Sequence, residues 1–363
     1  MKLRCLFYAL FFSLFCKGTT VTLCKDCPVQ NFKQALQVIK PYDTLVIKKG
    51  TYTCINETIS KPITIIGENL PVLDGKQMDE VLVVMSNDIH LFGLAIANSK
   101  CGSMKDYAGL RVFKARNVTI ENCQLTNTFF GIYLSDSKCI TVKNCSGKGA
   151  HYGKSDTGNG IHLWKCDSIS ITGNHLEGHR DGIYLEFAKH CTIESNLCER
   201  NFRYGLHFMF SDNDTYSNNT FTGNGTGVAV MYSKGVHMFN NQFLNNWGDA
   251  AYGLLLKDMS NGIIKNNIFQ NNTIGVTMEG GTNMRFEKND FIQNGYGLKV
   301  MANCRLDTFV LNNFTGNTFD ASTNGELKEN LFEKNYWDKY EGYDLNRDAV
   351  GDIPYRPVSL YSV

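Results

Sequence analysis

A glycine followed by alternating apolar residues recurs along the chain at Gly109, Gly131, Gly160, Gly182, Gly205, Gly227, Gly253, Gly275 and Gly297, with spacings of 22, 29, 22, 23, 22, 26, 22 and 22 residues. Such regularity has to be tested as a repeat before any single element is assigned. The first and third residues after the glycine are apolar, as in Ile132 and Leu134, Ile161 and Leu163, Ile183 and Leu185, Leu206 and Phe208, Val228 and Val230, and Leu254 and Leu256. Alternation with period two marks a strand with one buried face. A second apolar column (Ile120, Val142, Ile171, Ile193, Met238, Ile264, Phe286) marks another strand in each repeat. Fourteen residues past the glycine stand Asn174, Asn196, Asn219, Asn241, Asn267 and Asn289, with Cys123 and Cys145 in that place earlier. Asparagine tolerates left-handed turns, and amides one strand spacing apart can bond along a ladder.

A unit of this length cannot bury a face alone, but stacked copies share one core. The predicted fold is therefore all-β: a single-stranded right-handed parallel β-helix of about eleven coils, each about 4.8 Å along the axis. A leucine-rich horseshoe would need a leucine consensus and a helical half, and neither is visible. Residues 31 to 40, with Phe32, Ala35, Leu36 and Ile39 at helical spacing before Pro41, read as an N-terminal cap helix. The sequence divides into a signal peptide over residues 1–20, the β-helix over 21–335 and an irregular capping tail over 336–363.

The signal reading rests on MKLR followed by twelve apolar or small residues, Cys5 to Cys16, too few to span a bilayer. It predicts an exported, periplasmic protein. Without Lys2, Arg4 and Lys17, 33 basic side chains face 35 acidic ones, a net −2 with no basic run, so nucleic acid is not an expected partner. Of the 13 cysteines, 11 follow the signal, an odd number that leaves at least one unpaired internally. Cys24 and Cys27 form a lone CxxC, read as a local disulfide or a pairing with Cys54 ahead of a metal or redox role.

If the first and third positions are buried, the second and fourth point outward. One outer face then carries His162, Trp164, Tyr184, Glu186, His207, Met209 and Met231 over four coils. Two insertions bracket them, the stretch with His151 before Gly160 and the one with Trp247 before Gly253, and both should wall this face. Met209 and Met231 are column neighbours about 4.8 Å apart, with His207 about 7 Å from Met209. Thioether and imidazole at that spacing suit Cu(I), although a methionine-rich contact patch for a partner is equally compatible. Asp344, Asn346, Asp348 and Asp352 have the odd-position spacing of a Ca²⁺ loop, but Ala349 replaces its glycine and no closing glutamate follows, so a plain acidic turn is preferred.

Many β-helices act on polysaccharides, and glycoside chemistry needs two carboxylates about 5 to 9.5 Å apart. Glu186 and Glu279 are about 19 Å apart, and Asp181 and Glu186 about 16 Å. Sugar binding without catalysis survives better, with Tyr133, Trp164 and Tyr184 as a stacking platform.

The strings GIHLW (160–164), RDGIYLEF (180–187), RYGLHFMFSDN (203–213), GVAVMYS (227–233), AAYGLLLKD (250–258) and the tail beginning NYWDKYEGYDLNRD go beyond a generic repeat. They resemble the NosD family, periplasmic β-helix proteins required for maturation of nitrous-oxide reductase, and the resemblance runs over nearly the whole mature chain. It implies a non-catalytic accessory protein that docks on the membrane and ATPase subunits of an ABC transporter. It also implies receipt of copper from a chaperone lipoprotein and assembly of the copper–sulfide centre of the reductase. Cys123, Cys139, Cys145, Cys166 and Cys191 depart from the family pattern, either as a second set of thiol ligands or, preferred here, as small core residues. The competing expectation is a polysaccharide-binding or polysaccharide-modifying β-helix.

Overall fold

The computed structural model describes residues 18–102, 105–149, 157–249, 251–327 and 329–358. Three parallel sheets of 14, 13 and 12 strands wind into a right-handed solenoid of about 13 turns. The glycine-led strands form the 12-stranded sheet from Glu57–Ile59 to Phe319–Ser322, and the second apolar column lies in the 14-stranded sheet from Thr20–Leu23 to Leu331–Glu333. The count exceeds the eleven coils predicted because the first coils are built from short strands without the leading glycine, such as Thr44–Ile47, Thr51–Thr53 and Glu57–Ile59. Hydrophobic burial, not the glycine, defines a coil.

Alternation works as the sequence implies: Leu206, Phe208, Val228, Val230, Leu254 and Leu256 are all fully buried. In the 13-stranded sheet the interior is a continuous ring stack of Phe221, Phe243, Phe269, Phe291, Phe314 and Trp337, with centroids 4.2 to 5.5 Å apart. Rings at that spacing add dispersion to a core that would otherwise rely on area alone. Phe32–Val38 is the only helix among the described residues, capped by the Asn31 side chain, which accepts from the Gln34 N–H. It ends earlier than the predicted Lys40 because Ile39 is already extended.

The asparagine column is a hydrogen-bonded ladder. Each Nδ2 from Asn174 through Asn312 donates to the Oδ1 one coil on, reaching Asn335, at 2.9 to 3.0 Å. Each also donates to a backbone carbonyl of the preceding coil, as Asn241 does to Tyr216. The left-handed residue is the one before the ladder: Asn218, Asn240 and Asn266 have φ between 55° and 57°. Asn201, Asn224, Asn246, Asn272, Asn294 and Asn317 form a second ladder five residues further on, which the sequence reading missed although the N-x4-N spacing recurs. Cys24 and Cys27 are joined as a local disulfide. Cys123, Cys145, Cys166 and Cys191 are buried core residues, whereas Cys139 is exposed at a left-handed corner.

Candidate metal site

Register brings the expected columns together. Tyr184 pairs with His207 and Glu186 with Met209; in the next coil Met209 pairs with Met231 and His207 with Ala229. One coil earlier His162 pairs with Tyr184 and Trp164 with Glu186. The second-position side chains do not, however, stand in solvent. His162 is 7% exposed and His207 4%. Rings one coil apart pack on each other: Tyr133, His162, Tyr184 and His207 follow with centroids 4.6 to 4.8 Å apart, tilted at the first contact, edge-on at the second and parallel at the third, the Arg111 guanidinium lies 4.3 Å above Tyr133, and Tyr204 flanks His207 at 4.7 Å. Alternation tells which face a residue is on, but says nothing about lateral packing on that face. Tyr133 and Tyr184, expected with Trp164 to form a sugar platform, are engaged in these ring contacts and, like Trp164, partly exposed.

The fourth-position residues Trp164, Glu186, Met209 and Met231 are partly exposed. The Tyr184 hydroxyl donates to the Met209 sulfur at 3.6 Å, and burial pushes its pKa up, which keeps the proton in place. Beside this column runs a second ring stack that the sequence reading missed. Phe187, Phe210 and Tyr232 are exposed, stack at 5.3 and 5.2 Å, and meet the Trp164 edge at 5.3 Å. Their recurrence one residue after the fourth position was the available signal.

Asp181, Arg203 and Asn159 decide the electrostatics: Asp181 opens the strand Asp181–Glu186, and Arg203 and Asn159 lie just ahead of the strands that follow them. Asp181 is fully buried and accepts from Arg203 Nε at 2.8 Å and from Arg203 Nη2. Burial alone would raise this carboxyl, but hydrogen bonds and charge from Arg203 and His207 outweigh it and hold the pKa below the ordinary value. His207 Nδ1 lies 3.5 Å from the same carboxylate and 3.4 Å from Arg203 Nη2, while its Nε2 is buried without a partner. Burial lowers the His207 pKa against the pull of Asp181, and it drives His162 down to about 3. Both imidazoles are therefore neutral, the state in which a ring nitrogen can bind a metal. Imidazole on the strand that carries Met209, beside the coil of Met231, puts ligand types that Cu(I) prefers on adjacent coils.

Trp247 is exposed in the second insertion, and His151 lies outside the described residues. His175, Glu177 and Glu199 form the densest group of hard ligands among the described residues, but Arg200 already spans both carboxylates, at 3.3 and 2.7 Å. The Asp344 carboxylate accepts the backbone N–H groups of Arg347, Asp348 and Ala349, as in a plain acidic turn.

Residues 144–346 match the family model described as periplasmic copper-binding protein (NosD). The chain is 26% identical to the "probable ABC transporter binding protein NosD" of Stutzerimonas stutzeri, over 83% of this chain and 72% of that one. Among solved structures it is similar to the catalytic domain of a GH87 α-1,3-glucanase (TM-score 0.63, 13% identity, 88% of this chain and 69% of that one). It is also similar to the periplasmic alginate epimerase AlgG (TM-score 0.56, 10% identity, 87% and 83%). The Dettilon tailspike protein matches at TM-score 0.61 and 13% identity, over 80% of this chain but only 62% of the tailspike. At these identities the structures share the solenoid and carry no information about activity.

Proposed function

The chain belongs to the NosD family of periplasmic copper-binding proteins, and from that premise we propose that it carries Cu(I) as transient cargo on His207, Met209 and Met231 while nitrous-oxide reductase is matured. The observation that carries the reading is the orphaned Nε2 of His207 on the strand of Met209, which is itself in register with Met231. Two thioethers and one imidazole hold Cu(I) without the depth of a thiolate site, which suits a hand-over. The protein would act as an accessory factor and not as an enzyme: Asp181, the acid nearest Glu186 on its strand, is committed to Arg203. The name of the Stutzerimonas stutzeri relative supports docking on an ABC transporter. A copper-chaperone lipoprotein as donor and the reductase copper–sulfide centre as destination complete the proposal, with the protein peripheral to the inner membrane through its partner. No helix among the described residues is long and apolar enough to cross a membrane.

Competition against a chromophoric Cu(I) chelator tests the site. Each of His207→Ala, Met209→Ala and Met231→Ala is expected to lower affinity about tenfold or more, which corresponds to about 1.4 kcal/mol. Wild-type affinity that none of the three changes would sink this ligand set. Turnover of an acidic polysaccharide would revive the alternative.

A further inference from the structure

The asparagine ladder stops short of the N-terminal coils, and two thiols take over its column. Asn174 Oδ1 accepts the Cys145 N–H at 2.9 Å, but Cys145 has no amide to offer the coil before it, where the column holds Cys123. Strand pairing puts the two in register: Glu121 lies opposite Lys143, Gln124 lies opposite Ser146, and the Ser146 N–H donates to the Cys123 carbonyl at 2.9 Å. The corner is the same in both coils, since Asn122 and Asn144 are left-handed at φ 53° and 51°. Residues in register on neighbouring coils have Cα atoms about 4.8 Å apart, inside the span of about 4.4 to 6.8 Å over which a disulfide closes. No other two of the nine unbridged described cysteines share a column on successive coils. Cys123 Sγ lies 3.4 Å from the Glu121 carbonyl oxygen and Cys145 Sγ 3.3 Å from that of Lys143, so the side chains leave their corners in the same direction. Cys145 Sγ also leans towards the other coil, to 3.7 Å from the Ile120 carbonyl oxygen. A hydrogen bond between the two side chains, with Cys145 as donor, draws the Cys123 pKa below its ordinary value and pushes that of Cys145 up.

The family to which the chain belongs is periplasmic, and that compartment forms and keeps disulfides. We propose that Cys123 and Cys145 are joined there by a disulfide that cross-links two successive coils where the amide ladder ends. The oxidant is a protein thiol oxidase in its disulfide form. One cysteine thiolate attacks that disulfide, forming a mixed disulfide and releasing one oxidase thiol. The second thiolate then attacks the chain's own sulfur and expels the other oxidase thiol, so the two chain thiols are oxidised, the oxidase disulfide is reduced, and both protons end on the oxidase thiols. Folded, the two side chains are 1% and 2% exposed, so a protein oxidant meets them only before the coils close. The pair lies in earlier coils than His207, Met209 and Met231, and the cross-link stands or falls separately from the copper reading.

Peptide mapping of the full chain, recovered from the periplasm without reductant, tests this. Free thiols are alkylated in denaturant, and the digest is read by mass spectrometry before and after reduction. Trypsin separates the two cysteines from each other, and both from Cys139, by cutting after Lys138 and Lys143. The expected result is one species that joins the Cys123 and Cys145 peptides, two hydrogens lighter than their sum and split by reductant. Alkylation of both cysteines in the unreduced chain overturns the proposal, and so does a bridge from either one to a third cysteine. In Cys123→Ser, Cys145 should become open to alkylation; continued protection there would reveal another partner and overturn the pairing. If that variant fails to accumulate, the map of the unchanged chain still decides.

Discussion

At the scale of single residues, the interior holds acids that the fold tolerates at a cost, Asp214 and Asp307 among them, each with an unpartnered Oδ2. Asp214 is fully buried at a corner, its Oδ1 accepts the Cys191 N–H at 2.7 Å, and its Oδ2 has no partner. Burial pushes its pKa up to about 7, with Asp212 adding to the shift and the Cys191 hydrogen bonds opposing it. The folded chain thus keeps this proton to about neutrality, while the unfolded chain releases it near 4. Between those values the folded state binds more protons, so stability falls as pH rises. The upper bound of this penalty above neutrality is about 4 kcal/mol. Asp214→Asn keeps the Oδ1 acceptor and removes the charge, at a cost of about 1 to 3 kcal/mol for an amide nitrogen without an acceptor. Denaturant titrations should show the variant more stable than wild type by about 1 to 3 kcal/mol above neutrality and equal or weaker near pH 4. A gain that persists unchanged at the lower pH would mean that the proton is not responsible.

At the scale of elements, the corner after every glycine strand from Gly109 to Gly275 is turned by a left-handed residue. Lys114, Asp136, Lys165, Asp258 and Gly280 fill it elsewhere, but Phe187, Phe210 and Tyr232 fill it with φ of 53°, 50° and 52°. For a non-glycine residue that conformation costs about 1 to 2 kcal/mol, and stacking of rings returns about 0.5 to 1.5. Phe210→Asn is therefore expected to change unfolding free energy by no more than about 1 kcal/mol, whereas Phe208→Ala, two residues away in the core, should cost about 3 to 5. A large loss at Phe210 would show that the outer stack holds the coil together. The same elements mark what could be read from sequence. Period two identified the buried positions from Leu206 to Leu256, and the asparagine spacing identified one ladder, because both depend on a single residue type recurring in one column. The groups that contact the two imidazoles were not legible. Asp181 opens its strand and Arg203 and Asn159 precede theirs, all outside the alternating positions, and their meeting with His162 and His207 depends on how the chain enters each coil. His207 was therefore placed on the correct strand with the wrong exposure.

At the scale of the whole molecule, each coil touches only its neighbours, so stability should be close to a sum over coils and interfaces. That makes a whole coil removable where half a coil is not. Deleting residues 275–296 joins Ile274 to Gly297, which restores the corner already used one coil earlier, since Tyr252, Ile274 and Tyr296 share one column. Leu254 then sits below Leu298 and Phe269 below Phe314, in columns that Val276 and Phe291 now bridge. Asn267 meets Asn312 in place of Asn289, so the ladder closes over the gap. His207, Met209 and Met231 lie outside the deletion. The shortened chain is expected to fold, to melt within about 10 °C of the full chain, and to bind Cu(I) as the full chain does. Removing only 275–285 takes out one glycine strand and leaves its coil open, so a row of backbone groups and the Phe291 ring lose their cover; that variant should aggregate or fail to accumulate. Failure of the whole-coil deletion to fold would mean that the solenoid is cooperative over more than neighbouring coils, and that the site on its outer face depends on coils it does not touch.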